Sequence, residues 1–134
     1  MIAIRFMLFS VCIALMFQGC NIGADSTKKL SGGYFLRNEG GDIKDILCEN
    51  PNGGEIPSTI IDYDYDKNFI IAKQKPKIPQ DPLYNEDYNY KNGIDQNYFW
   101  LIIHSKELVI GPLDMEAFKV ARKQYNVPSN LDFK

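Results

Sequence analysis

Two stretches of this chain have no polar side: Tyr98-Phe99-Trp100-Leu101-Ile102-Ile103 and Phe69-Ile70-Ile71-Ala72. Side chains in a strand alternate between two faces, so an unbroken apolar run needs apolar cover on both. Any fold built from this sequence must therefore place material above and below these two strands. Further strand signals surround them. Tyr34-Phe35-Leu36 leads into the turn residues Asn38-Glu39-Gly40-Gly41. Ile43 to Cys48 follows, and its apolar residues fit neither face cleanly, the mark of a bulge. Thr59 to Tyr65 alternates, with Ile61, Tyr63 and Tyr65 on one face and Asp62 and Asp64 on the other. Leu108-Val109-Ile110 comes after a turn at Ser105-Lys106-Glu107. All links but one are short, which predicts antiparallel neighbours in a meander.

One helix is expected, after Gly111-Pro112. Asp114 suits the N-cap, Glu116 sits near the positive end of the helix dipole, and Leu113 with Phe118 has the spacing of a hydrophobic staple. Phe118, Ala121 and Tyr125 form an apolar stripe, and Val127-Pro128 ends the helix. The expected fold is α+β: an antiparallel meander sheet of about five to six strands with one C-terminal amphipathic helix packed on one face. A length of 134 residues and an aromatic content of 13% suit a single well-filled core.

The amino-terminal segment has a different character. Met1 to Gly19 carries one positive charge, Arg5, then an apolar run from Phe6 to Phe17, then the short exit Gln18-Gly19. That is the layout of a secretory signal, and the run falls short of the roughly 20 apolar residues that cross a bilayer. Phe17-Gln18-Gly19-Cys20 resembles the lipobox of bacterial lipoproteins, with Gly and Cys matching and Phe17 in place of the usual Leu. The resemblance implies that Cys20 receives a diacylglycerol thioether, that cleavage occurs before it, and that the new amino terminus is acylated with a palmitate-type chain. Each buried methylene contributes about 0.8 kcal/mol, so two or three acyl chains hold a protein at a membrane where one does not. The expected organisation is a lipoprotein signal peptide at 1–19, lipidated Cys20 with a flexible tether at 20–33, and one α+β domain at 34–134. The expected location is extracytoplasmic and lipid-anchored: the outer membrane in a Gram-negative source, otherwise the outer face of the cell membrane. Within a Gram-negative source, Asn21 in place of an Asp retention signal favours the outer membrane over the inner.

Once Cys12 leaves with the signal and Cys20 is lipidated, Cys48 has no disulfide partner in the chain. Asp45-Ile46-Leu47-Cys48-Glu49 offers nothing electropositive to activate a thiol, so Cys48 reads as a small apolar strand residue. A formal net charge of −2 gives no footprint for nucleic acid and no polybasic patch for anionic lipid.

Three features could carry function. Asp62, Asp64 and Asp66 begin like a calcium loop, but Lys67 stands where such a loop needs Gly and Lys73 where it needs a bidentate Glu, so a solvated strand is the simpler reading. The link Lys75–Gln96 exceeds the usual loop length and carries Tyr84, Tyr88 and Tyr90, residues suited to an exposed binding surface. His104 is the single His; without paired Cys it makes no expected metal site, and no familiar nucleophile motif surrounds it or Cys48. No phosphate-cradling loop, G-x-S-x-G or H-E-x-x-H occurs, so no catalytic residue and no cofactor is assigned.

Asn68-Phe69-Ile70-Ile71-Ala72-Lys73-Gln74, and Tyr98 to Ile103 followed by Gly111-Pro112-Leu113 and Phe118, resemble a family of small bacterial lipoproteins, the domain of unknown function three-nine-nine-seven. The resemblance runs from about Tyr34 to Leu131 and rests on structural motifs, so it implies one domain and brings no activity. The expected function is a non-catalytic binding or interaction module of the cell envelope, partnered by the membrane through its lipid and by an envelope protein. The alternative is an envelope inhibitor or immunity-type protein, and after it a small hydrolase using Asp62 and Asp64 or Cys48.

Overall fold

A computed structural model describes residues 26–134. The signal segment and Cys20 lie outside the described residues. Seven strands and one helix follow in order: β1 (Ser26–Lys29), β2 (Tyr34–Gly40), β3 (Ile43–Cys48), β4 (Ile60–Tyr65), β5 (Phe69–Gln74), β6 (Tyr98–Ile103), β7 (Leu108–Leu113) and α1 (Met115–Gln124). The α+β class and the single C-terminal helix agree with expectation. The single meander does not: β1-β2-β3 form one antiparallel sheet and β4-β5-β6-β7 a second. The break falls between β3 and β4. Residues 55–57 stay with the first sheet through a bridge in which Ile46 and Ile56 exchange N–H···O bonds of 3.0 and 2.8 Å. The chain then crosses to the second sheet at Ser58 and Thr59.

This division satisfies the two apolar runs. Ile70, Ala72, Trp100 and Ile102 face the first sheet and pack with Tyr34, Leu36, Ile46, Ile56 and Ile60. Ile71, Phe99, Leu101 and Ile103 face the other way, against Phe118, Ala121 and Leu131. The layers are therefore sheet, sheet, helix, with β5 and β6 at the centre. All six residues of β6 are buried. At roughly 1.5–3 kcal/mol for each large apolar side chain removed from water, this double layer is the main source of stability. The helix forms as its sequence predicts: the Asp114 carboxylate accepts from the Ala117 N–H at 2.8 Å, and Phe118 stacks on Phe99 at a centroid distance of 5.3 Å.

Within the expected tether at 20–33, residues 26–29 form a strand. Ser26–Lys29 pair with β2 from Ser26↔Asn38 to Lys29↔Phe35, so order begins at least eight residues before Tyr34. All four side chains are exposed, and backbone pairing holds the strand, with Lys28 adding one contact to the second sheet by donating to the Tyr63 hydroxyl at 3.3 Å. The bulge lies opposite the start of β3, where the register shifts between Asn38 and Gly40.

Asp45 is the one fully buried carboxylate among the described residues. Arg37, directly opposite in the ladder, donates from Nε at 3.0 Å and from Nη2 at 2.6 Å to its two oxygens. Arg37 also reaches Glu39 near the surface, at 2.9 Å. Removing one partner of a buried pair costs about 3–5 kcal/mol, whereas an exposed pair is worth about 0–1. Urea unfolding is therefore expected to show Asp45→Ala losing several kcal/mol and Glu39→Ala less than about 1.

Candidate functional site

A cleft of about 450 Å³ opens at one end of the two sheets. Tyr34 and Cys48 reach it as cross-strand partners at the start of β2 and the end of β3. The end of β6 delivers Ile102 and Ile103 to it, followed by His104 in a 3-10 turn closed by Glu107 in the left-handed region at φ 48°. The loop Asn50-Pro51-Asn52-Gly53 forms the remaining wall.

Specific contacts fix the imidazole. The His104 backbone N–H donates to the Asn68 carbonyl at 3.1 Å, and Nε2 lies 2.8 Å from the Ser31 hydroxyl. The ring sits 5.8 Å from the Tyr34 ring. It also lies directly against Gly32, which adopts φ +61°, and a Cβ there would stand 2.2 Å from Nδ1. Only glycine satisfies both conditions. Gly53 permits an equally close approach to Cys48: a Cβ would lie 2.2 Å from its sulfur. The Tyr34 hydroxyl accepts the Gly54 N–H at 3.1 Å and so ties the loop to the sheet. Burial raises the Tyr34 pKa and lowers that of His104, the latter opposed in part by Asp66. The cleft thus presents a neutral phenol, an imidazole, a half-buried thiol, the Asn50 amide and the exposed Glu107 carboxylate. That set can donate and accept hydrogen bonds around an apolar floor. The imidazole's hydrogen bond goes to Ser31 rather than to the thiol.

From the sequence, Cys48 and His104 were weighed as a nucleophile pair that lacked a third orienting group, and Ser31, Tyr34, Asn50 and Glu107 were passed over. Their only local sign was glycine at 32 and 53. The tyrosines and aspartates singled out from the sequence lie elsewhere. Tyr84, expected on an exposed surface, is buried, and its hydroxyl donates to Asp45 at 2.7 Å and accepts the Ser58 N–H at 2.9 Å. Tyr88 is half-buried, donates to Glu55 at 3.2 Å, and meets Trp100 edge-on at 5.3 Å. The Tyr90 hydroxyl accepts from Gln74 at 2.9 Å, and Gln74 in turn accepts from the Trp100 indole at 2.7 Å. The three tyrosines clasp the long loop to the domain. Burial raises the pKa of each, most for Tyr84 and Tyr88.

The aspartate series is engaged in a similar way. Asp62 and Asp64 accept from the N–H groups of Lys134 (2.8 Å) and Asp132 (3.1 Å), holding the C-terminal tail along β4. Asp66 accepts from Asn68 and Phe69, both at 2.8 Å, and shapes the β4–β5 turn. Among the described residues, no three His, Cys, Asp or Glu side chains converge as a metal-ligand set. No helix among them is long and apolar enough to cross a membrane.

Fold and cleft together define a small α+β domain with sheet, sheet and helix in layers. The chain belongs to the family described as protein of unknown function DUF3997, whose model matches residues 31–134. β1 lies before that match. No curated protein and no solved structure matches the chain.

The depressed His104 pKa has a defined consequence. The folded chain prefers the neutral imidazole, while the unfolded chain titrates near the ordinary 6.5. Stability is therefore full above about 6.5 and falls as the pH drops from there through the folded value. Thermal melts between about pH 7.5 and 5.5 should show this loss, and His104→Gln should flatten it.

Proposed function

We propose that this chain is a lipid-anchored envelope protein whose domain acts as a non-catalytic binding module, holding an envelope component in the cleft of Tyr34, Cys48, Asn50, His104 and Glu107. The observation that carries this reading is the position of the cleft. Ser26, the first described residue, pairs with Asn38 near the β2–β3 hairpin, whereas Tyr34 and Cys48 sit at the opposite end of the same strands. A domain tied down through Cys20 and Ser26 leaves that cleft open to a partner. The cleft's mixture of apolar floor and fixed polar groups suits recognition. Its one hydroxyl–imidazole pair, Ser31 with His104, has its imidazole clamped by Gly32, which suits a binding contact better than a mobile general base. The long loop supports the cleft from a distance by fixing the sheets and is not itself the contact surface.

The test is recovery of partners with the native acylated protein from its own membranes, with mass spectrometry of the partners and of the N-terminal peptide. Replacing Asn50 and Glu107 by Arg at the cleft rim is expected to weaken recovery of the partner at least tenfold, about 1.4 kcal/mol. Val120→Arg, on the exposed side of α1, should leave recovery unchanged. A partner that survives the cleft variants contradicts the reading. One tight stoichiometric protein partner assigns the inhibitor or immunity role.

A further inference from the structure

Six large hydrophobic side chains are prominently exposed among the described residues, and three of them converge. Ile61, Ile78 and Ile94 are 46%, 55% and 47% exposed. They line one shallow depression of about 420 Å³ together with Pro76. Ile61 lies on the edge strand β4, while Ile78 and Ile94 come from the two ends of the long loop. Scattered exposed isoleucines need no explanation, but three on one depression mark a surface with a partner.

The position of the depression identifies that partner. Asp42, at the tip of the β2–β3 hairpin, lines it, and the Asp42 carbonyl accepts from the Thr59 hydroxyl in the same wall. β1 begins beside that hairpin, with Ser26 opposite Asn38. The patch and the point where the chain leaves toward Cys20 are therefore at one end of the domain, and the cleft is at the other. Six Cα steps separate Cys20 from Ser26, a reach of at most about 22 Å. An acylated Cys20 holds this end close to the lipid headgroups. The depression's charges balance, with Asp42 and Asp95 against Lys75 and Lys77. That suits a zwitterionic headgroup layer entered by apolar side chains rather than an anionic surface reached by a basic patch.

We propose that the Ile61–Ile78–Ile94 depression is a membrane-resting surface, which seats its isoleucines in the headgroup region of the anchoring bilayer and turns the His104 cleft outward. This rests on the lipid-anchor reading above.

Amine labelling of the full acylated protein in vesicles of phosphatidylcholine and phosphatidylethanolamine tests the orientation. Lys75, on the patch, is compared by peptide mass spectrometry with Lys119 and Lys123, which are exposed on α1. Lys75 is expected to label several-fold more slowly than it does in the Ile78→Asp/Ile94→Asp double variant, with Lys119 and Lys123 unchanged between the two. Both substitutions are at exposed positions, and circular dichroism checks that the fold persists. Equal Lys75 rates in the two proteins, with an acylated Cys20 peptide present, overturn the membrane-resting surface and leave the anchor intact. An unmodified Cys20 overturns the anchor and this orientation with it.

Discussion

A carboxylate with no exposure to water is tolerated only when its oxygens are fully engaged. At Asp45 that requirement draws three parts of the chain together: Arg37 from β2, Asp45 itself from β3, and Tyr84 from the long loop. The Tyr84 hydroxyl also takes the backbone N–H of Ser58, where the chain passes from one sheet to the other. Ser58 then offers its carbonyl to Gln74, which links to Trp100 and Tyr90. Every buried polar side-chain atom among the described residues has a partner. The polar chain starting at Asp45 therefore fixes three things at once: the relation of the two sheets, the crossover between them and the course of the loop.

The two ends of the domain follow from that arrangement. With the sheets held face to face, β2 begins and β3 and β6 finish at the cleft end, and His104 is brought next to Tyr34. At the opposite end, the clasped loop returns Ile78 and Ile94 to the edge of β4 beside Ile61. Without the clasp these isoleucines would belong to a loose insertion and form no common surface. The isoleucine patch, beside the start of β1, and the cleft therefore lie at opposite ends of the domain.

The parts of this fold that were legible in the sequence are those driven by local apolar pattern. YFWLII and FIIA announced two doubly covered strands, and Asp114, Leu113 and Phe118 announced the helix and its start. β1 was illegible because Ser26-Thr27-Lys28-Lys29 buries no side chain; it is a strand only because β2 offers an edge. The two-sheet division was hidden for a similar reason, since a one-residue bridge at Ile56 leaves no periodic trace. Tyr84, Tyr88 and Tyr90 carried the right residue type for a binding surface, but their partners Asp45, Glu55 and Gln74 lie 39, 33 and 16 residues away. Asp62 and Asp64 were read correctly as one face of a strand, and nothing local announced that the face would receive the tail N–H groups of Asp132 and Lys134. The cleft was the least visible feature, because it assembles one or two residues from each of β2, β3 and β6 with others from three separate turns.

The central claim is that the long loop is part of the folded core rather than an appendage to it. Native-state hydrogen exchange at the Ser58 and Asn85 amides tests this most directly, because the first donates to the Tyr84 hydroxyl and the second to the Glu55 carboxylate at 2.6 Å. Both amides should exchange only through openings nearly as costly as global unfolding, with protection approaching that of Ile71 and Leu101 in the central strands. Exchange at the rate of a solvated loop, while Ile71 and Leu101 stay protected, would contradict the account.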